Sequence, residues 1–199
     1  MKRIVVDTNV PIVANGRPDA SNGGRQPSPR CRLAAIDFLE ETLKRRRIVL
    51  DLAGEIETEY QRHLRPSGEP GVGDRFYFEV LRSGTERIER LELPRAATGA
   101  YADFPADAAL KGFDRGDRKF AALARRERAP VANATDSDWL EHRTALAKHG
   151  IAVRFVCGCM ATHWFAKAAV GVVRGNARWS KSKRRSSSLS DLTRLGVAV

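Results

Sequence analysis

The stretch KRIVVDTN, residues 2–9, is a short apolar run that ends at a carboxylate. Three consecutive β-branched residues, Ile4 to Val6, are typical of a parallel strand that is covered on both faces. Asp7 then falls at the carboxyl end of this strand, which is the edge where open α/β sheets bind ligands. Taken alone, Asp7 is better explained as a cap of the following helix, so its role depends on what the other strand ends carry.

Outward from this stretch, apolar runs alternate with segments of helical periodicity. Further strands are predicted at 48–50, 88–93, 130–134 and 151–156. Helices are predicted at 10–14, 31–46, 53–64, around 76–81, from 114–117 onward and at 139–149. This alternation predicts an α/β protein, a three-layer α/β/α sandwich on a mainly parallel central sheet.

The size and charge of the chain restrict the domain organisation and the kind of partner. Its 199 residues fit one domain with a tail, and the formal net charge is +11. Such an excess favours nucleic acid or another polyanion as a partner, although a basic tail alone would also raise it. We expect a domain over 1–156, a C-terminal helix over 157–173 and a disordered basic tail over 174–199.

The cysteines indicate a reducing compartment. There are three of them, and only three apolar residues precede Asp7, too few for a secretory leader, so we expect a cytoplasmic protein with free thiols. Cys157-Gly158-Cys159, followed by His163, has the spacing of metal ligands, but no second pair is evident and buried thiols are the favoured interpretation. The apolar run 155–173 is interrupted by His163 and Lys167, so no membrane partner is expected.

Four acids fall where one edge of a parallel sheet would gather them. Asp7 follows the first strand, and Glu59 lies in the helix after the second strand. Asp114 or Asp117 lies at the start of a later helix, and Asp136 or Asp138 follows the strand at 130–134. Converging carboxylates cannot all ionise without a counter-charge, and a hard divalent cation, Mg²⁺ or Mn²⁺, supplies one. For Asp117 and Asp136 singly, helix capping is the simpler interpretation.

The same four places carry a resemblance to a known family. The pieces VVDTN, GEIETEY, GDRKFAALA and ATDSDW, spread over residues 1–156, resemble the motifs of PIN-domain nucleases, in particular the toxin-type ribonucleases. The resemblance implies a Mg²⁺- or Mn²⁺-dependent endoribonuclease that cuts RNA, with an antitoxin protein as a partner and a homodimer as a further expectation. Residue by residue, it implies catalytic acids Asp7, Glu59, Asp117 and Asp136, metal ligands Asp7, Asp117, Asp136 and Asp138, and supporting residues Thr8, Asn9, Asp114 and Thr135.

Two other functions remain open at this point. Basic residues, among them Arg115, Arg118 and Lys119, flank the predicted acidic site and suit RNA phosphates, so a non-catalytic RNA-binding module is the main alternative. A haloacid-dehalogenase-type phosphatase would carry two aspartates spaced by one residue after the first strand. The second of these positions is Asn9, which weighs against that alternative.

Overall fold

The computed structural model describes residues 1–18, 23–65 and 67–166, all within one compact unit, Met1–Lys167. The strands are β1 (Lys2–Val6), β2 (Arg46–Asp51), β3 (Ile88–Leu91), β4 (Val131–Asn133) and β5 (Val153–Phe155). The helices are α1 (Asn9–Ala14), α2 (Pro29–Arg45), α3 (Glu55–His63), α4 (Val72–Arg82), α5 (Arg118–Glu127), α6 (Ser137–Glu141) and α7 (Arg143–Lys148).

The five strands form one sheet in the order β3-β2-β1-β4-β5, and every pairing is parallel. This confirms the predicted α/β class. Ile4, Val5 and Val6 in the central strand are all fully buried, and because successive side chains alternate between faces, both faces of the sheet are covered. Helices α1, α2 and α4 pack together as one group, while α3 contacts α5 and both reach the sheet.

The order of the strands decides where the site lies. β1 pairs with β2 on one side, Ile4 opposite Ile48, and with β4 on the other, Val5 opposite Val131. From β1 the chain adds β2 and β3 on one side of the sheet, and then returns to add β4 and β5 on the other side. The carboxyl ends of β1 and β4 therefore border the crevice where this class of sheet binds ligands. Asp7 directly follows the last residue of β1 and therefore lies at that crevice.

The prediction of one continuous helix over 139–149 is wrong. The chain forms two short helices, α6 and α7, because His142 has φ −94° and ψ 3° and interrupts the helical backbone. The His142 ring packs edge-on against Phe113, with the ring centroids 5.5 Å apart, and its Nδ1 lies 3.1 Å from Oδ1 of Asp138. These two contacts hold the ring where the helix is interrupted.

The α-helix predicted over 157–173 does not form in its described part, 157–166, and its remainder lies outside the described residues. This segment contains one 3₁₀ turn, Ala161–His163. Its backbone bonds to the loop before α2 instead: Ser28 N–H donates to the Trp164 carbonyl at 2.8 Å, and Ala166 N–H donates to the Gln26 carbonyl at 2.9 Å. The compact unit therefore continues beyond residue 156, the boundary that the sequence predicts.

The basic tail predicted at 174–199 also lies outside the described residues. Among the residues that are described, no helix combines the length and the apolar character that crossing a membrane requires.

Candidate active site

Asp7 is a buried carboxylate whose two oxygens both accept hydrogen bonds. The side chain is 3% exposed. Oδ1 accepts from the Asn9 backbone N–H at 2.8 Å, and Oδ2 accepts from the indole Nε1 of Trp139 at 2.8 Å. These two donors fix the orientation of the carboxylate at the end of β1 and lower the free energy of its ionised form.

Asn9 joins the end of β1 to the end of β4. Its Nδ2 donates to Oδ1 of Asn133 at 2.6 Å, and its Oδ1 accepts from the Ala134 N–H at 2.7 Å. Asn133 in turn donates from Nδ2 to the Asp136 carbonyl at 2.9 Å. These buried amide hydrogen bonds set the position of the Asp136 backbone relative to Asp7. Asn9 thus links the carboxyl ends of β1 and β4.

Glu59 reaches the same place from α3. Its Oε1 accepts from the Thr8 hydroxyl at 2.7 Å, and its Oε2 is paired with the ammonium of Lys119. Asp51, at the end of β2, starts this helix by accepting from the N–H groups of Glu55 and Ile56 at 2.7 and 2.8 Å. The capped helix thereby presents Glu59 to the carboxyl end of β1.

A cavity of about 210 Å³ brings the four predicted acids together. Their elements differ: Asp7 follows β1, Glu59 lies on α3, Asp117 precedes α5 and Asp136 precedes α6. The cavity is lined by Asp7, Thr8, Asn9, Ile12, Arg17, Pro18, Glu59, His63, Asp117 and Asp136. The spatial grouping expected from the sequence is therefore present, whereas the catalytic roles of its members stay predictions.

Asp114 and Asp138 lie in an adjacent recess that shares Asp117 and Asp136 with the cavity. Asp138 is held by two contacts: Oδ2 accepts from the Asp114 N–H at 2.8 Å, and Oδ1 lies 3.1 Å from Nδ1 of His142. Asp117 and Asp136 therefore line both the cavity and the adjacent recess. Metal ligation by Asp138 stays a prediction.

The charged forms of two acids in the cavity, Asp7 and Asp117, are electrostatically disfavoured. Burial, repulsion from Asp136 and repulsion from Glu59 raise the pKa of the Asp7 carboxyl well above its ordinary value. Burial, followed by the charges of Asp7 and Asp136, raises the pKa of Asp117 to about 10. Both carboxyls bind protons more readily than free ones because burial and the neighbouring carboxylates disfavour their charge, and a bound cation would offset that cost.

The donor set fits a hard divalent cation of the Mg²⁺ type. It consists of carboxylate oxygens, which Mg²⁺ and Mn²⁺ prefer. Within the described ranges, no three carboxylates place one oxygen each within 4.8 Å of one another. Mg²⁺ is commonly bound by one or two carboxylates with waters at its other positions, so its binding does not require three converging carboxylates.

The basic residues expected to bind RNA differ in their positions. Arg115 is exposed, Arg118 donates to the Phe113 carbonyl at 3.1 Å, and Lys119 is 6% exposed with its ammonium on Glu59. Lys119 thus faces the acids and not the surface, and contact with RNA by any of the three stays a prediction. Thr135 is fully buried directly before Asp136, and its supporting role stays a prediction.

Sequence reasoning missed four residues of the site. Arg17 and His63 line the cavity, and Asn133 and Trp139 hold its acids in place. Trp139 is the aromatic residue of the motif ATDSDW, but the sequence predicts for it only the start of a helix and no bond to Asp7. Asn133 ends a strand of three residues and carries no local pattern that marks it.

Comparison with known proteins adds little to this geometry. No family model and no curated protein matches the sequence. One solved structure, VapBC2 from Rickettsia felis bound to a DNA fragment from its promoter, matches with a TM-score of 0.43 and 15% sequence identity, covering 77% of this chain and 98% of that chain. A likeness of this degree carries no argument about function, which has to come from the site itself.

Proposed function

We propose that this chain is a metal-dependent endoribonuclease of the PIN type. The observation that carries the proposal is the cavity in which Asp7, Glu59, Asp117 and Asp136 meet, each from a different element. Burial and mutual repulsion raise the pKa of Asp7 and of Asp117 at the same place, and such perturbed carboxyls are common at functional sites. The positive net charge of +11 supports a polyanionic substrate.

In this proposal Asp7, Asp117 and Asp136 hold Mg²⁺ or Mn²⁺, one or two of them directly and the others through bound water, since no three carboxylates of the described residues converge within 4.8 Å. A bound ion of this kind acts as a Lewis acid toward a phosphate and stabilises the charge that develops during phosphodiester cleavage. Asn9 and Trp139 keep the Asp7 oxygens oriented, since both donate to them at 2.8 Å. Arg17, on the cavity wall, supplies a guanidinium that can hold a neighbouring phosphate of the RNA.

Lys119 and Thr8 have a positioning role toward Glu59. They contact one oxygen of that carboxylate each, so Glu59 points at the cavity while its charge is partly neutralised. This leaves Asp7, Asp117 and Asp136 as the acids with the greatest need for a cation. A toxin role with an antitoxin partner, a homodimer and a cytoplasmic location follow only from the sequence and stay predictions.

The test is cleavage of a fluorescently labelled single-stranded RNA with Mg²⁺ or Mn²⁺ and with EDTA. Asp7→Asn and Asp136→Asn should each lower the rate by roughly 100-fold or more, because each removes a charge that the cation requires. Asp37→Asn is the matched control, since Asp37 is exposed on α2 and does not line the cavity. Circular dichroism of each variant shows whether the fold is retained.

The other two functions give different results in the same assay. If the parent chain and Asp7→Asn bind the RNA equally well, and neither cuts it with Mg²⁺ or Mn²⁺, the protein is a binding module. Release of phosphate from small monoesters without RNA cleavage indicates a phosphatase. The structure disfavours the latter because Asn9, at the second aspartate position, is bonded on both sides of its amide to β4 and the residue after it.

A further inference from the structure

The three cysteines of the chain meet in one cluster outside the acidic site. Cys31 lies in the first turn of α2, and Cys157 and Cys159 follow β5. The Sγ atoms of Cys31 and Cys159 are 3.3 Å apart, and those of Cys157 and Cys159 are 2.7 Å apart. Two segments more than a hundred residues apart in sequence therefore place all of their sulfur atoms together.

We propose that Cys31, Cys157 and Cys159 form a Zn²⁺ site that fastens the segment after β5 to the start of α2. The three Sγ atoms all lie within 4.8 Å of one another. In a tetrahedral zinc site the Zn–S distance is about 2.3 Å, which separates two sulfur ligands by about 3.7 Å. The cluster therefore needs only small side-chain shifts to take the ion.

The backbone around the cluster is already arranged as a binding site. Ser28 caps α2, its Oγ accepting from the Cys31 N–H at 3.3 Å, while its own N–H donates to the Trp164 carbonyl at 2.8 Å. On the far side, Pro27 and Phe165 form an antiparallel bridge, and the guanidinium of Arg25 lies 4.4 Å from the Phe165 ring centroid. Both cysteine-bearing segments are thus held together by contacts that do not involve sulfur.

The cluster also lies where a structural metal would contribute most. Residues 157–166 contain one 3₁₀ turn and one bridge, so few hydrogen bonds of regular structure keep this segment in place. Metal binding by cysteines contributes its free energy directly to the folding of such irregular segments. Cys31 and Cys157 are buried and Cys159 is partly exposed, so an ion can enter from the side of Cys159.

Zn²⁺ is favoured by the ligand type and by the surrounding charge. Thiolates select soft or borderline cations over the Mg²⁺ proposed for the acidic cavity. Three thiolates with one Zn²⁺ leave a net negative charge, and Arg30, the residue directly before Cys31, supplies a nearby positive charge. The fourth position is assigned to a water molecule, because the His163 ring does not join the cluster in the described part of the chain.

The experiment is metal analysis of the full chain, expressed with zinc and purified under reducing conditions. We expect about one zinc ion per chain, with near-complete loss in Cys31→Ala and Cys159→Ser. Asp7→Asn and His163→Ala should keep the ion, since the first changes only the acidic cavity and the second lies outside the ligand set. Circular dichroism identifies any variant that has failed to fold.

Replacement by Co²⁺ separates this site from the acidic one. Cobalt bound by thiolates gives an intense sulfur-to-metal absorption band that carboxylate sites do not give, and this band should disappear in Cys159→Ser and persist in Asp7→Asn. Mg²⁺-dependent RNA cleavage by Cys159→Ser should stay within about twofold of the parent, so a failure of the proposed nuclease function is distinguishable from a failure of the zinc site.

Three results would overturn the proposal. The first is a reduced, folded chain that holds no zinc. The second is zinc that is lost in Asp7→Asn or in His163→Ala and retained in Cys159→Ser. The third is a mass lower by two hydrogen atoms under the same conditions, which means that two of the thiols form a disulfide instead.

Discussion

The indole nitrogen of Trp139 donates a 2.8 Å hydrogen bond to Oδ2 of Asp7, across 132 positions of sequence. Trp139 is fully buried, and Phe113 packs edge-on against it with the ring centroids 5.0 Å apart. The aromatic core around α6 is therefore coupled to the acid at the end of β1. Because the indole N–H favours the ionised carboxylate, it opposes the effect of burial on the pKa of Asp7.

Trp139→Phe should destabilise the fold and raise the pKa of Asp7 further. It removes one donor to a buried, ionisable oxygen while an aromatic ring remains in the core. The expected loss is about 1.5–3 kcal/mol in the free energy of unfolding, the range for hydrogen bonds to charged groups. Urea unfolding in EDTA at pH 8 measures the free energy, and carboxyl chemical shifts measured by NMR against pH follow Asp7.

Trp164→Phe is the matched control for this prediction. Trp164 is also buried, but its Nε1 bonds to no group among the residues that the structure describes. Removing that nitrogen leaves every bond to Asp7 in place, and the cost should be smaller because no hydrogen bond is lost. Equal losses of stability in the two variants would show that the ring volume, and not the bond to Asp7, matters at position 139.

The stability of the metal-free protein should depend on the protonation of Asp117. Its pKa in the folded chain is raised from 3.8 to about 10, so between these values the native state binds a proton that the unfolded state has released. The contribution of Asp117 to stability is thus fully present below pH 4 and is lost as the pH rises toward 10. Asp117→Asn removes this dependence and should stabilise the metal-free fold at pH 8.

The measurement is the difference in thermal unfolding temperature between the parent and Asp117→Asn in EDTA, taken from pH 5 to pH 9. As the pH rises, the unfolding temperature of Asp117→Asn should exceed that of the parent by a growing margin. Adding Mg²⁺ should narrow it, because the cation replaces the proton in the parent chain. A difference that is constant over this range would mean that Asp117 ionises normally and that the acids do not repel one another.

Arg17→Ala should weaken RNA binding and also lower the stability of the fold, because the buried carboxylate of Asp74 loses its charged partner. The guanidinium donates to Oδ2 of Asp74 and to the His63 carbonyl, both at 2.8 Å, and it lines the acidic cavity. Five N–H groups are available on an arginine, so donors remain for a phosphate. Under the proposed function, we expect the slope of log binding constant against log salt concentration to fall by about one, because one phosphate contact is lost.

Arg143→Ala makes the same change of charge at an exposed position on α7 that does not line the cavity. Binding of the labelled RNA, with Ca²⁺ in place of Mg²⁺ to prevent cleavage, is measured by fluorescence anisotropy at several salt concentrations. If both variants change the slope equally, Arg17 adds only net charge and makes no particular phosphate contact.

The parts of the site that could be predicted are those with a local signal. A β-branched run followed at once by an acid marks the end of a buried strand, and this pattern placed Asp7 at the sheet edge. Asp136 is placed in the same way, just beyond the predicted strand 130–134. Apolar spacing predicts the helices that carry Glu59 and Asp117, but the choice of these two acids comes from the resemblance of GEIETEY and GDRKFAALA to the motifs of PIN-domain nucleases.

The parts that could not be predicted depend on contacts between distant segments. Asn133 and Trp139 matter because of bonds to Asn9 and Asp7, and nothing in their own neighbourhood specifies those partners. Lys119 looked like a surface cation in sequence, yet its position one residue into α5 turns it toward Glu59. The segment after β5 was expected to be helical from its apolar content, whereas its backbone bonds to the loop at 26–28.

Gly73→Ala should disturb the site from a distance, through helix packing. A Cβ at Gly73 would overlap the backbone carbonyl of Pro11, where α4 crosses α1. A backbone group cannot move aside as a flexible side chain can, so the helices must separate, at a cost of about 1–3 kcal/mol. Helix α1 begins at Asn9, so a displacement of α1 also weakens the hydrogen bonds by which Asn9 links the ends of β1 and β4.

Gly112→Ala adds the same methyl group where it would meet only Nε2 of His142 at 3.7 Å, an ordinary contact. Thermal unfolding and RNA cleavage of the two variants are measured side by side. We expect Gly73→Ala to lower both the unfolding temperature and the cleavage rate, and Gly112→Ala to change neither appreciably. A Gly73→Ala chain that unfolds earlier but cleaves at the parental rate would show that Asn9 and Asp7 keep their positions whatever the packing of α1 on α4, so that the strand ends alone organise the acids.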